Sequence, residues 1–138
     1  MSTELERLGN EKYVRLTTFR RDGRAVPTPV WVAIGESALL VWTPRDSGKV
    51  KRIRAGSPVE VTACDARGSR TWGSAVAGTA RLLDERESDE VRAAIRAKYG
   101  LLGTIGVYGS MLRGGKQRTI GIAISLDGAG TGDDAEGP

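Results

Sequence analysis

Four cations, Lys49, Lys51, Arg52 and Arg54, fall within a short span of the stretch Val41-Trp-Thr-Pro-Arg-Asp-Ser-Gly-Lys-Val-Lys-Arg-Ile-Arg54. Clustered ammonium and guanidinium groups do one kind of chemistry well: they neutralise and hydrogen-bond phosphate or carboxylate. The stretch begins as an apolar strand end, Leu39-Leu40-Val41-Trp42, and breaks at Thr43-Pro44. Val50 and Ile53, at i, i+3 spacing, then predict a short helix with one inward face. With Ser47 or Asp46 as N-cap, free backbone N–H groups and basic side chains gather at one helix start, the outline of a phosphate seat. The same spacing also describes a solvated basic helix, since charge runs commonly mark surface.

The residue types that are missing narrow the chemistry further. The chain has no His and a single Cys, Cys64. Ser-His-Asp and Cys-His nucleophilic machinery is therefore excluded, and zinc or His-ligated haem does not suit the donor set. General acid–base work would fall to Asp, Glu, Lys or Tyr. An enzyme built this way would leave the difficult chemistry to a cofactor. Cys64 reads as a small hydrophobe in a strand.

A net charge of +4 and a pI near 9.6 favour anionic partners without choosing among them. The 138 residues fit one domain. Hydrophobic residues make up only 39% and glycines number 19, which is thin for a self-sufficient barrel and predicts burial between two subunits. The start, Met1-Ser-Thr-Glu-Leu-Glu-Arg7, carries no secretory signal, and no run approaches the roughly 18 to 20 apolar residues of a membrane span. The expectation is a soluble cytoplasmic protein without membrane partners.

The elements that must position the basic helix follow in order. Thr3 to Leu8 is a capped helical turn, with Ser2 or Thr3 as cap and Glu4 and Glu6 near its positive end. Tyr13 to Phe19 is a strand, Arg21-Asp22-Gly23-Arg24 turns, and Ala25 to Ile34 returns as the second strand of a hairpin. In that strand Val26, Thr28, Val30, Val32 and Ile34 share one face; Pro27, Pro29, Trp31 and Ala33 share the other. Its two prolines lack ladder donors, so it should lie at an edge or open that side to a ligand. Ala38 to Trp42 is the third strand and Val59 to Ala66 the fourth. Trp72 to Leu83 is the fifth, with Gly73 and Gly78 suited to a bulge or bend.

Asp84 caps the longest helix, to about Tyr99, acidic in its first half and basic in its second. Its slim apolar face, Val91, Ala94, Ile95 and Tyr99, predicts packing on the outside of a sheet. Residues 100–115, Gly-rich and apolar, read as either a frayed helix or a mobile loop in contact with a partner subunit or ligand. Arg118 to Ser125 is the sixth strand, with Ile120, Ile122 and Ile124 on one face. The expectation is a mainly β, α+β chain: a six-stranded antiparallel barrel with peripheral helices over 1–126, then a disordered acidic Gly-rich tail over 127–138.

The ordered set Thr17-Thr-Phe19, Asp22-Gly23, Thr28-Pro-Val-Trp31, Val41-Trp-Thr43, Ser47-Gly-Lys-Val-Lys-Arg-Ile53, Pro58-Val59 and Gly78-Thr-Ala-Arg81 resembles the split-barrel superfamily of pyridoxamine-phosphate oxidase. Within it, the match is closest to the actinobacterial branch that uses the deazaflavin coenzyme F420. The resemblance covers about residues 5–125 and implies a flavin-binding split barrel, a homodimer with two cofactor grooves at the subunit interface. It implies that Lys49 is the phosphate-binding lysine, with Ser47, Gly48, Lys51 and Arg52 beside it. Pro29, Val30 and Trp31, with Val41, Trp42 and Thr43, would border the deazaflavin ring, and Trp72 would reach the site from the second subunit. Relatives often place an Arg, Lys or His closer to the phosphate than the Arg45-Asp-Ser-Gly48 approach does here.

A phosphodiester followed by a glutamate tail is polyanionic, so the basic cluster suits it. Hydride transfer to a small conjugated acceptor would need no protein nucleophile, consistent with a chain lacking His. FMN is the alternative cofactor, and a non-catalytic coenzyme F420 carrier the alternative role. A single-stranded nucleic-acid-binding barrel is the distant one, weakened because aromatics total only 5%.

Overall fold

The computed structural model describes residues 3–114 and 118–127, with side chains described throughout except in 101–114. The chain opens with helix α1 (Glu4–Gly9). Thr3 caps it as expected: its hydroxyl accepts the Glu6 N–H at 3.0 Å while its own N–H donates to the Glu6 carboxylate at 2.9 Å. Strand β1 (Val14–Phe19) and strand β2 (Ala25–Val30) form an antiparallel hairpin registered from Val14↔Val30 to Phe19↔Ala25. Gly23 takes φ of 91° in the turn between them, a conformation that favours glycine.

Strand β3 (Val32–Ile34), strand β4 (Leu39–Pro44), helix α2 (Gly48–Arg54), strand β5 (Val59–Cys64) and strand β6 (Thr71–Leu82) follow, then helix α3 (Glu85–Gly114) and strand β7 (Thr119–Leu126). The sheet runs β2-β1-β5-β6-β7-β4-β3, antiparallel at every step. In β6 the register against β5 slips between Val61 and Ala63, where Gly73 has φ of 74°, so the anticipated bulge lies at that glycine.

The sheet has seven strands where six were expected. The expected strand Ala25 to Ile34 divides at Trp31: Val30 pairs with Val14 of β1, whereas Val32 pairs with Val41 of β4. The two edge strands are thus consecutive in the chain, joined by a peptide link, and no ladder closes the barrel between them. Inward alternation continues across the break, with Val30 and Val32 both buried, so hydrophobic periodicity carried no sign of it. Pro27 and Pro29 lie on edge strand β2, where missing donors are harmless.

Inside the rolled sheet, Val14, Leu16, Val41, Val61, Ile122 and Ile124 are fully buried in one core. A second, smaller core lies under α3 and holds Leu83, Val91, Ile95 and Ala123, with Ala94 and Tyr99 packed against it. The α3 cap is the expected one: Asp84 accepts the Glu87 N–H at 2.8 Å, and Glu87 accepts the Asp84 N–H at 3.2 Å. Arg92, read from sequence only as part of a basic half, is 2% exposed. It donates to the Thr119 hydroxyl and carbonyl and to Asp89, tying α3 to β7.

At Gly100 the helix kinks, with φ of 61°, and its backbone is helical again to Gly114. The expected contacts of residues 100–115 with a partner or ligand rest on side chains outside the described residues, as does the tail from residue 128 onward. Among the described residues, no helix is long and apolar enough to cross a membrane.

The open seam between β2 and β3 is covered by the end of the first segment of α3. The Tyr99 ring stacks on Trp31 at 4.6 Å and 13°. Its hydroxyl donates to the Lys12 carbonyl at 2.6 Å and accepts the Val32 N–H at 3.0 Å. Beside it the Lys98 ammonium donates to the carbonyls of Gly9, Glu11 and Val32 at 2.6–2.7 Å. Tyr99→Phe keeps the stacking and removes only the hydroxyl bridge. It should lower unfolding free energy by about 1–2 kcal/mol in urea titration with an unchanged slope. A loss under about 0.3 kcal/mol, on the same scale of hydrogen-bond energies, would show that the bridge does not secure the seam.

Candidate functional site

Helix α2 has seven residues and two working faces. Val50 and Ile53 are buried in the main core, as their spacing predicted. The opposite face, Gly48, Lys51, Arg52 and Ala55, lines a groove of about 420 Å³. Phe19, Arg20 and Arg21 from the end of β1 and the following turn, and Gly56 to Pro58 after α2, form its other walls. Four cations and no carboxylate line this groove.

Arg52 is fixed by a 2.7 Å hydrogen bond from its Nε to the hydroxyl of fully buried Thr18 at the end of the barrel. Gly48 leaves room beside it, since a Cβ there would lie 2.9 Å from the Arg52 guanidinium and push it aside. The groove's far end is stitched by Ser57, whose hydroxyl accepts the Phe19 N–H at 2.9 Å and whose N–H donates to the Arg52 carbonyl at 3.0 Å. Carbonyls at the end of α2 are thereby taken up: Lys51 by Ala55, Arg52 by Ser57 and Ile53 by Gly56. Little negative potential is left facing the groove from the helix C-terminus.

Ser47 occupies the N-cap position with extended φ and ψ of −70° and 159°, but its side chain makes no capping hydrogen bond. Its hydroxyl oxygen is instead buried without a partner. Lys49, half-buried on the flank of α2, makes no side-chain hydrogen bond or ion pair among the described residues. Burial first, and the Arg52 charge second, hold its ammonium below the ordinary lysine pKa. Ser47 at the N-cap thus carries an unsatisfied hydroxyl and Lys49, two residues on, a partly desolvated, unpaired cation, both of which an anion would relieve. The residues present therefore fit a phosphorylated ligand.

The other expected site residues divide into groups. Val30, Val41 and Thr43 are buried, the first two within the main core. Trp31 and Trp42 lie against the second core under α3, their rings 6.4 Å apart, and the Trp42 indole N–H is buried without an acceptor. Pro29 is exposed on edge strand β2 and packs against Gly68. Trp72 is 46% exposed on β6, where its indole N–H donates to Glu11 at 3.2 Å. The structure brings Gly48, Lys51 and Arg52 to one groove, which Ser47 at the N-cap, Lys49 on the flank of α2 and Trp72 on β6 do not line.

Arg21 was read from sequence only as part of a turn, and Arg20 was assigned nothing. The unused signal was local. Asp22, the one acid of that turn, accepts both the Arg24 N–H and the Arg24 guanidinium, at 3.0 and 3.1 Å. Lys98 was missed as well. Burial pulls its pKa down to about 8 against the opposing pull of Glu11, and its three carbonyl partners favour the charged form at neutral pH.

A rolled antiparallel sheet with three helices around it and a cation-lined groove at the short crossover is the architecture of a split barrel. A family model described as pyridoxamine 5'-phosphate oxidase matches residues 3–117, and the chain belongs to that family. No curated protein matches the chain. Among solved structures, an F420 reductase superposes with a TM-score of 0.64 at 18% identity, covering 91% of this chain and 95% of that one. An FAD-binding protein from Mesorhizobium loti superposes at 0.59 and 17% identity, covering 87% and 82%. A heme storage protein from Vibrio cholerae does so at 0.59 and 11%, covering 85% and 82%. At such identities the likeness shows the fold, which these proteins use for different ligands.

Because Lys49 is a desolvated cation without a counter-charge, Lys49→Met should leave the thermal midpoint unchanged or raise it, whereas inorganic phosphate or pyrophosphate should raise the midpoint of the parent protein more than that of the variant. A fall of several degrees in the variant without anion would show that the ammonium is already satisfied.

Proposed function

We propose that the protein is a deazaflavin-dependent oxidoreductase that uses coenzyme F420 to deliver a hydride to a small conjugated organic acceptor. The observation that carries this reading is the α2 helix: Lys49 unpaired, the Ser47 hydroxyl orphaned at the N-cap, and a groove along the same helix lined by four cations and no acid. Family membership supports a flavin-type cofactor, and the F420 reductase among the structural neighbours is consistent with the deazaflavin.

In this reading Ser47, Gly48, Lys49, Lys51 and Arg52 hold the phosphate. Pro29, Val30 and Trp31 with Val41, Trp42 and Thr43 border the ring, chiefly through the outward tryptophans and the backbone, since Val30 and Val41 are themselves core. The bound cofactor supplies the hydride. The chain's part is to fix its position, to exclude water with the Trp31, Trp42 and Tyr99 rings, and to set the acceptor at about 3–3.5 Å. A homodimer is part of the proposal: Trp72 and Ile34 are large, exposed hydrophobics on the sheet, and a second chain covering them would complete the walls.

FMN is the second reading, favoured by the FAD-binding neighbour and equally compatible with a single phosphate at Lys49. Titrating purified protein with each cofactor by fluorescence separates the two. Coenzyme F420 should bind with micromolar or tighter affinity, FMN more weakly, and Lys49→Ala should weaken the first by about tenfold or more, roughly one charge-assisted contact. Tighter binding of FMN would move the assignment to the flavin, and absence of binding by either would end it.

A further inference from the structure

Outside the α2 groove, and sharing no lining residue with it, lies a second cavity of about 390 Å³. It forms where the turn between β3 and β4 meets the first half of α3. Leu40 of β4, Val91 of α3, Ala123 of β7 and Leu83 just after β6 line it, so the smaller core reaches its surface here through apolar side chains. A concave apolar lining of this size suits a small molecule with an apolar body.

The charge around this cavity is opposite to that of the whole chain. Three carboxylates, Glu36, Glu87 and Glu90, border it against one cation, Arg81, in a protein of net charge +4. Pairing decides which of them are available. Glu87 holds Arg81 at 3.4 Å and accepts the Asp84 N–H. The other acids at the start of α3 are engaged too: Asp84 caps the helix, Glu85 stands 3.9 Å from Arg45, and Asp89 binds Arg92 at 2.7 Å. Glu36, on the turn, and Glu90, on the helix, make no hydrogen bond or ion pair among the described residues. Of all these acids, the two left unpaired both border the apolar cavity. The helix start does not offset them, because the Asp84 side chain and carbonyl take up the Glu87 and Ser88 N–H groups.

We propose that this cavity is a second binding site, for a small organic cation whose ammonium group sits between Glu36 and Glu90 while its apolar body lies on Leu40, Leu83, Val91 and Ala123. The two contributions act together. Exposed carboxylates alone hold an ion weakly in water, and an apolar lining alone does not select the sign of a charge. An anionic ligand, the kind that suits the α2 groove, would be repelled. The site stands independently of any cofactor assignment. Glu36 and Glu90 are both exposed, so replacing them leaves the core intact.

The test titrates the isotope-labelled full chain with phenylbutylamine, phenylbutanol, phenylbutyrate and methylamine, following backbone amide shifts by NMR at low and high salt. Phenylbutylamine should bind with a dissociation constant on the order of millimolar, its largest shifts falling at Gly35, Leu40, Leu83 and Val91. It should bind about tenfold more tightly than either the alcohol, which lacks the charge, or methylamine, which lacks the apolar body. Phenylbutyrate should bind more weakly than the alcohol, and high salt should narrow the spread among the three phenyl probes. Glu36→Gln with Glu90→Gln should abolish the advantage of the amine over the alcohol and leave the affinity for the alcohol within about twofold, since exposed charges act locally when screened. Equal binding of amine and alcohol, an advantage that survives the double substitution, methylamine matching the phenyl amine, or shifts centred away from the cavity would each overturn the site, as would the absence of binding by every probe.

Discussion

The structure depends on how one sheet is rolled until its first and last strands become neighbours in the chain. β2 and β3 are separated by a single residue, Trp31, yet they bond to opposite ends of the sheet. Ladder hydrogen bonds cannot close that seam, so other contacts hold it. The stacked Tyr99 ring, its bridging hydroxyl and the three bonds of Lys98 converge there from α3. Arg92 and Ser88 then bind the same helix to β7, the hydroxyl of Ser88 accepting the Gly121 N–H at 2.9 Å. A buried arginine is costly unless its donors are used, and here they are shared among Thr119 and Asp89. α2 in turn closes the core with two side chains, Val50 and Ile53, and presents Lys51 and Arg52 to the groove.

That division of labour explains why the basic cluster can exist at all. Four cations around one groove repel one another, and on the flank of the same helix burial, with the Arg52 charge second, lowers the Lys49 pKa. Folding tolerates the arrangement because Val50 and Ile53 anchor the helix and Thr18 orients Arg52 from inside the barrel. What remains is stored electrostatic potential that an anion would discharge. A fold whose neighbours are associated with a deazaflavin, FAD and heme does not name the ligand. The side chains around α2 narrow it, because a polyanion answers them and a neutral ligand does not.

Local features were legible in the sequence where one residue type and one spacing decide them. The caps at Thr3 and Asp84, the inward pair Val50 and Ile53, the Ile120, Ile122 and Ile124 face and the glycine bulge at Gly73 all follow short-range rules. The division at Trp31 was not legible, because alternation continues through it and only the choice of partner strand changes. Arg92 and Lys98 looked like solvent charges on a helix; their roles depend on carbonyls and hydroxyls contributed by distant segments. Of the site, the α2 cations were visible as a run, but Arg20 and Arg21 join them only once the hairpin brings the β1 end against the helix.

In the proposed reading, the start of α2 receives the phosphate of a hydride-carrying cofactor. A crystal structure of the protein grown with oxidised coenzyme F420 tests it most directly. Phosphate oxygens are expected at about 2.7–3.0 Å from the Lys49 ammonium and the Ser47 hydroxyl, with the Arg52 guanidinium alongside. A cofactor bound with its phosphate elsewhere, or a fully soaked crystal with that corner holding only solvent, would contradict it.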